Sequence, residues 1–100
     1  MPTKSAEYRL VPRAREDMEA VWLYSLQKWS AEQADRYIDD FTEAFDLLAD
    51  NPKTGRRCEN IRAGYCKYPV MRHVIYYRET SYGIEIMRVL HDRMLASRHF

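Results

Sequence analysis

The chain has 100 residues, of which 46% are apolar and 13% aromatic, and its formal net charge is +1. This length suits one domain, 1–100, and the composition is that of a globular rather than a disordered chain. The apolar runs are too short to span a bilayer, and the first residues lack the apolar segment and cleavage site of a secretory signal. The sequence therefore predicts a cytoplasmic protein with no membrane partner.

The small net charge hides two halves of opposite sign. Residues 1–50 contain 6 Lys/Arg and 11 Asp/Glu, a net charge of −5, whereas residues 51–100 contain 10 and 4, a net charge of +6. A basic half can contact nucleic acid, an enzyme that handles nucleic acid, or an acidic peptide. The alternative is that the two halves attract one another in the folded domain.

The first half predicts a short strand followed by a helical hairpin. The alternation of "EYRLV" indicates a strand over 7–11, and Pro12 then suits the start of a helix. Apolar residues recur at helical spacing from Arg13 to Trp29, and "SAEQ" (30–33) is a capping box that begins a second helix. That helix carries a continuous apolar stripe to about Ala49, and Asn51-Pro52 ends it.

The second half predicts three strands. "NPKTGRR" (51–57) is a turn, and the stretch from Tyr65 to Leu90 is rich in β-branched and aromatic residues. Tyr82-Gly83 marks a hairpin between the last two strands, and the tail "HDRMLASRHF" (91–100) has no strong pattern. The fold class is therefore α+β, with the order β-αα-βββ and a helical hairpin packed on a small, mostly antiparallel sheet.

Metal and cofactor chemistry have little support. Cys58 and Cys66 are the only cysteines, and no C-x-x-C or H-x-x-x-H spacing accompanies them. Free thiols in a cytosolic chain are expected, with no metal and no cofactor.

Metal-free RNA cleavage is the one enzymatic reaction to weigh. It needs a general base, a general acid and cations that stabilise the charge on the reacting phosphate. His73 or His91 would be the base, and Arg72 and Arg88, on adjacent strands, would form a phosphate clamp with Arg93 nearby. Structural or docking roles for the histidines are favoured over catalysis, because no partner carboxylate is expected close to them.

Base stacking is the remaining nucleic-acid hypothesis. Five tyrosines alternate with arginines after residue 64, but Tyr76 and Tyr77 must point to opposite faces of a strand. Only one of the two can therefore stack on a base outside the core, which limits the hypothesis.

Five blocks of the chain resemble the ParE toxins of the RelE/ParE superfamily, from bacterial type II toxin–antitoxin systems. They are "YRLVPRAREDMEAVW", "YSLQKWSAEQADRYIDDF", "LLADNPKTGR", "IRAGYCKYPVMRHVIYYR" and "IEIMRVLHDRM". Their order and spacing cover nearly the whole chain. Small departures from the family pattern occur at Val11, Ser30 and Leu95.

The resemblance implies a toxin that binds a ParD-like antitoxin as a hetero-oligomer. ParE-type members inhibit DNA gyrase and hence DNA replication, whereas RelE-type members cut mRNA on the ribosome. The extra lysines and terminal tyrosine of the RelE type are missing, because Lys67 is the only lysine after Lys53 and the chain ends "SRHF". The expected protein is a gyrase inhibitor and not an enzyme, with a RelE-like endonuclease or an inactive interaction domain as alternatives.

Charge, strand position and the family blocks together give a set of candidate residues for binding the target or the antitoxin. No catalytic residue is expected in a gyrase inhibitor; a nuclease would use His91, Arg72 and Arg88. The candidate binding residues are Arg62, Tyr65, Arg72, His73, Arg88, His91 and Arg93.

Overall fold

The computed structural model describes residues 6–100 and contains two helices and five strands. The helices are α1 (Pro12–Lys28) and α2 (Ala31–Asp50), and neither is long and apolar enough to cross a membrane. The strands are β1 (Glu7–Leu10), β2 (Arg56–Arg57), β3 (Tyr65–Val70), β4 (His73–Glu79) and β5 (Gly83–His91), with short 3-10 turns at Pro52–Thr54 and Ala96–Arg98. The predicted order β-αα-βββ is confirmed, with β2 as one additional short strand.

The five strands form one mixed sheet in the order β1-β5-β4-β3-β2. β1 runs parallel to β5, and the other neighbours are antiparallel. The helical hairpin connects the β1 edge to the opposite edge and covers one face of the sheet, called here the hairpin face. The C-terminal residues 92–100 are called here the tail, and its Ala96 and Phe100 pack on the other face, the tail face.

Both helix starts follow the sequence signals. Pro12 occupies the first turn of α1, where its missing N–H costs nothing. Ser30 caps α2, and its hydroxyl accepts the Gln33 backbone N–H at 3.2 Å, as the capping box predicts. The return bond from the Gln33 side chain to Ser30 is not formed within the described chain.

Small buried residues on α1 let it approach α2 and β5 closely. Its buried positions are Ala14, Val21 and Ser25, whereas α2 buries large side chains, including Tyr37 and Phe41. The main core lies between this hairpin and the hairpin face. Its largest fully buried side chains from the sheet and α2 are Tyr77, Phe41, Leu48, Ile75, Ile84 and Ile86.

A second, smaller core lies under the tail. Tyr76 points to this tail face while Tyr77 lies in the main core, so the predicted opposition of the two rings is confirmed. Phe100 covers Tyr76 and Tyr65, with ring centroids 5.3 and 5.5 Å apart. Tyr76, the ring on the tail face, is itself only 7% exposed, so neither of the two strand tyrosines is open to base stacking.

Tyr77 ties the sheet to the turn that follows α2. Its hydroxyl donates to the Pro52 carbonyl at 2.6 Å and accepts the Gly55 N–H at 2.9 Å. A methyl group on Gly55 would collide with this hydroxyl, so the position needs glycine. Gly83 is required for a different reason: its φ is +145° and a Cβ there would strike the Glu7 carbonyl of the neighbouring strand.

Candidate functional site

His73 and His91 face one another across the paired ends of β4 and β5. The register sets them directly opposite, and their rings meet edge to face with centroids 5.1 Å apart. Tyr24 of α1 packs against both rings, at 5.5 Å from His73 and 5.3 Å from His91. Together with Met94 these three side chains line a cavity of about 210 Å³ between α1 and β5. Both histidines therefore lie on the hairpin face.

His73 is a neutral structural residue. It is 4% exposed, and its Nδ1 lies 2.8 Å from the Tyr37 hydroxyl. Burial, and secondly the charge of His91, lower the pKa of His73 to about 4. The Tyr37 hydroxyl also accepts the Arg72 N–H at 3.2 Å, so this pair of side chains holds the turn between β3 and β4. In that turn Met71 takes a positive φ of 54°.

His91 is half-buried and lies beside a carboxylate. Its Nδ1 is 3.1 Å from Asp92 Oδ1 and also 3.1 Å from the Arg93 backbone N. Nδ1 accepts the Arg93 N–H when it carries no hydrogen, and it donates to Asp92 when it carries one, so the two contacts cannot form at the same time. The expectation that no carboxylate lies near the histidines is wrong, and the missed residue, Asp92, directly follows His91.

Arg88 is occupied by structural contacts. Its guanidinium binds Asp17 of α1 in a two-pronged ion pair, at 2.7 and 2.9 Å, and donates to the His99 carbonyl at 2.7 Å. The hydrogen bond to Asp17 raises the pKa of Arg88 above its usual value. Asp17 also accepts the Val89 N–H at 2.9 Å, so one carboxylate joins α1, the free edge of β5 and the tail.

The predicted clamp of Arg72 and Arg88 is wrong. Arg88 lies opposite Tyr76, whereas Arg72 lies in the turn four residues before Tyr76. That distance along a strand is about 13 Å, and Arg88 shares the tail face with Tyr76, where Asp17 and the His99 carbonyl bind its guanidinium. Arg88 is also only 8% exposed and already neutralised, so His91, Arg72 and Arg88 do not form one nuclease site.

The other predicted residues divide between the two ends of β3. Arg62 is exposed in the loop before β3, and Tyr65 is buried beneath Phe100. Arg72 and Arg93 are exposed beside His91 at the opposite end, where the Asp92 N–H donates to the Arg72 carbonyl at 2.8 Å. Three of the seven residues, Tyr65, His73 and Arg88, are therefore buried rather than on a docking surface.

An apolar groove on the outside of the helical hairpin was not predicted as a site. Met18, Trp22, Leu23 and Ile38 line it, with a volume of about 480 Å³. The Trp22 indole N–H donates to Asp35 at 3.2 Å and so holds the ring across the two helices. Leu23 is 54% exposed, although it lies on a helix with a buried side. The sequence did contain a signal for this groove: Leu23 lies outside the apolar stripe of α1, and an apolar residue there is expected to be exposed.

The basic residues of the second half are largely free of acidic partners. Of the ten Lys/Arg after residue 50, only Arg78 and Arg88 form ion pairs within residues 6–100. Arg88–Asp17 is also the one ion pair in this range that joins the two halves of the chain. The alternative that the halves serve mainly to attract one another therefore has little support.

Comparisons with known proteins agree with this fold. The family profile described as "ParE toxin of type II toxin-antitoxin system, parDE" matches residues 8–96. Toxin ParE1 of Mycobacterium tuberculosis is 38% identical over 96 residues, covering 95% of this chain and 98% of that protein. Toxin ParE1 of Caulobacter vibrioides is 40% identical over 92 residues, covering 92% and 95%.

A solved structure described as "Chromosomal ParDE TA system from P. aeruginosa" has the same fold. Its TM-score is 0.73 at 16% identity, covering 87% of this chain and 96% of that one. The fold, the family profile and the near-full-length relatives agree with one another, and the resemblance seen in the sequence blocks is confirmed. The chain belongs to the ParE toxin family of type II toxin–antitoxin systems.

Proposed function

We propose that this chain arrests growth by inhibiting DNA gyrase through protein–protein contact and that a ParD-like antitoxin neutralises it. Membership of the ParE family supports the proposal. The observation that carries it is the dispersal of the nuclease residues: Arg88 is neutralised by Asp17, and His73 is buried and neutral. In the proposed mechanism the protein acts as a ligand of gyrase and not as an enzyme.

The exposed end of the sheet is the proposed contact with gyrase. Arg72, His91 and Arg93 lie together there, around the bond that joins Asp92 to the Arg72 carbonyl. Exposed cations at the edge of an interface increase the rate at which an acidic partner associates and help to orient it. The proposed target also implies that the protein works in the cytoplasm.

The groove of the helical hairpin is the proposed contact with the antitoxin. An amphipathic segment needs an apolar surface on which to bury its side chains, and Trp22, Leu23 and Ile38 supply one. Antitoxin segments that fold on binding would order themselves in this groove. The resulting hetero-oligomer would keep the toxin away from gyrase.

A supercoiling assay with purified gyrase and relaxed plasmid tests the proposal. Added toxin is expected to slow supercoiling, and prior mixing with its antitoxin to restore it. The variant Arg72→Gln/Arg93→Gln should weaken inhibition, whereas Arg13→Gln/Arg36→Gln, the same charge change on exposed residues of the helices, should leave it unchanged. Normal supercoiling at saturating toxin would refute the proposal.

Ribosome-dependent mRNA cleavage remains a second candidate because of one contact. His91 and Asp92 form a base and carboxylate pair at 3.1 Å, with Arg72 and Arg93 nearby. Cleaved transcripts after toxin induction, lost in His91→Ala, would support the nuclease. Intact transcripts during growth arrest would exclude it, and no growth defect without antitoxin would indicate an inactive interaction domain.

A further inference from the structure

The tail face carries a transverse row of cationic and aromatic residues. Arg56 of β2 lies opposite Lys67 of β3, which lies opposite Tyr76 of β4. Directly paired residues share a face, so the two cations stand side by side with their backbones about 5 Å apart. Both are exposed, and neither forms an ion pair within residues 6–100.

This pairing of like charges is unfavourable within the chain. Like charges placed directly opposite one another destabilise an antiparallel pair. No acidic residue stands in this row, because Tyr76 follows Lys67 and the next residue along, Arg88, is already bound to Asp17. A negatively charged ligand would remove the repulsion.

A pocket beside the row suits an oxygen-rich anion. It has a volume of about 240 Å³, and Asn60, Lys67, Tyr76 and Ser97 are among the residues that line it. Lysine, asparagine and serine side chains are common contacts of nucleic-acid phosphates. Arg98, the residue after Ser97 in the chain, is exposed.

The same surroundings argue against a protein ligand and against single strands. Protein interfaces rely on exposed aromatic and apolar anchors, yet Tyr76 lies under Phe100 and offers none here. Single strands bind by stacking on aromatic rings, and both Tyr65 and Tyr76 are covered. What remains accessible is charge and hydrogen-bonding capacity, which matches the phosphate backbone of a duplex.

We infer that the Arg56–Lys67 row and its adjoining pocket bind the phosphate backbone of duplex DNA directly, without reading its sequence. The chain would thus hold DNA by its own surface, in addition to any contact with gyrase. The site is separate from the proposed gyrase contact, because Arg72 and His91 lie at the end of the sheet while the row crosses the middle of β3 and β4. It uses no acid or base.

Fluorescence anisotropy of the full chain with a labelled duplex of about 20 base pairs, measured over a salt series, tests this site. We expect binding that weakens steeply with salt. Arg56→Gln/Lys67→Gln should weaken binding about tenfold at low salt and reduce the slope of log K against log salt by about 2. The matched control Arg13→Gln/Arg36→Gln should change affinity less than about twofold.

A second variant separates the site from simple loss of folding. Lys67→Glu places opposite charges across β2 and β3, so it should raise the melting temperature by about 1–4 °C while lowering DNA affinity. The inference would be overturned by no salt-dependent binding of the duplex, by equal losses in the variant and the control, or by tighter binding of poly-glutamate than of DNA. Because anisotropy needs no gyrase, failure of this site and failure of gyrase inhibition are distinguishable.

Discussion

Tyr77 and His73 show how single buried polar groups hold this small domain together. Tyr77 is fully buried, yet its hydroxyl has both a donor and an acceptor partner in the turn after α2. Burial raises the pKa of Tyr77 to about 12, because the charged phenolate is unfavourable there. The phenol therefore acts as a fixed neutral link between the sheet and the turn.

Replacing Tyr77 by phenylalanine tests this link. The change removes the hydroxyl and leaves the Pro52 carbonyl and Gly55 N–H without their partner. We expect a loss of about 1–3 kcal/mol in the free energy of unfolding, measured by urea denaturation. Tyr68→Phe, at a half-buried ring on the same sheet face, should change it by less than about 0.5 kcal/mol. Equal effects of the two substitutions would contradict the role given to the hydroxyl.

His73 should make stability depend on pH. Its pKa is lowered to about 4 in the folded chain and is near 6.5 when unfolded, so between these values the unfolded state binds more protons. The stabilisation is complete above about pH 6.5 and is lost as pH falls towards 4, by up to about 3 kcal/mol. His73→Asn, which keeps a hydrogen-bonding side chain beside Tyr37 but does not titrate, should flatten this part of the curve. An unchanged slope would contradict the assignment.

Sequence reasoning identified these residues but not what they contact. His73 and Arg88 were chosen for their charge and strand position, and both turned out to be buried by partners far away in the chain. Arg88 binds Asp17, 71 residues earlier, and His73 binds Tyr37, 36 residues earlier. The spacing of residues within one strand gives no information on such long-range pairs. The contact between His91 and Asp92 could have been predicted, because the two residues are adjacent in the sequence.

Among the structural elements, the helical hairpin was predictable from the sequence, whereas the short strand β2 and the tail were not. The serine cap predicts where α2 begins, and the extent of its apolar stripe predicts how far it continues. β2 has only two residues, too few for any alternation to show. The tail contacts the sheet through single groups, the Phe100 ring and the His99 carbonyl. Its apolar residues therefore do not recur at the spacing of a helix or a strand.

The Asp17–Arg88 pair should be the strongest link between elements. Asp17→Asn would leave the Arg88 cation almost buried without a counter-charge, so we expect a loss of about 3 kcal/mol in the free energy of unfolding. Hydrogen exchange of the Val89 amide should accelerate as well, because Asp17 accepts that N–H. Glu32→Gln removes one partner of the exposed pair with Arg36 and should cost less than about 0.5 kcal/mol. A similar small cost for Asp17→Asn would show that the pair does not hold α1 to β5.

At the scale of the whole molecule, the charge split describes the surface rather than the fold. The fold class followed from hydrophobic periodicity and was confirmed by the structure and by the relatives. Within residues 6–100, eight of the cations after residue 50 have no acidic partner. The positions of Arg56 and Lys67 among them came only from strand register. Register depends on pairing across the sheet, which the sequence of β2 was too short to show.

We propose that the folded chain inhibits gyrase and does not cut RNA. The most direct measurement is recovery of covalent gyrase–DNA complexes from plasmid reactions containing gyrase, ATP and the full chain. We expect linear plasmid after detergent and protease treatment, in an amount that depends on the toxin and is reduced by the antitoxin. Intact, fully supercoiled plasmid at saturating toxin, with mRNA cut on added ribosomes, would contradict it.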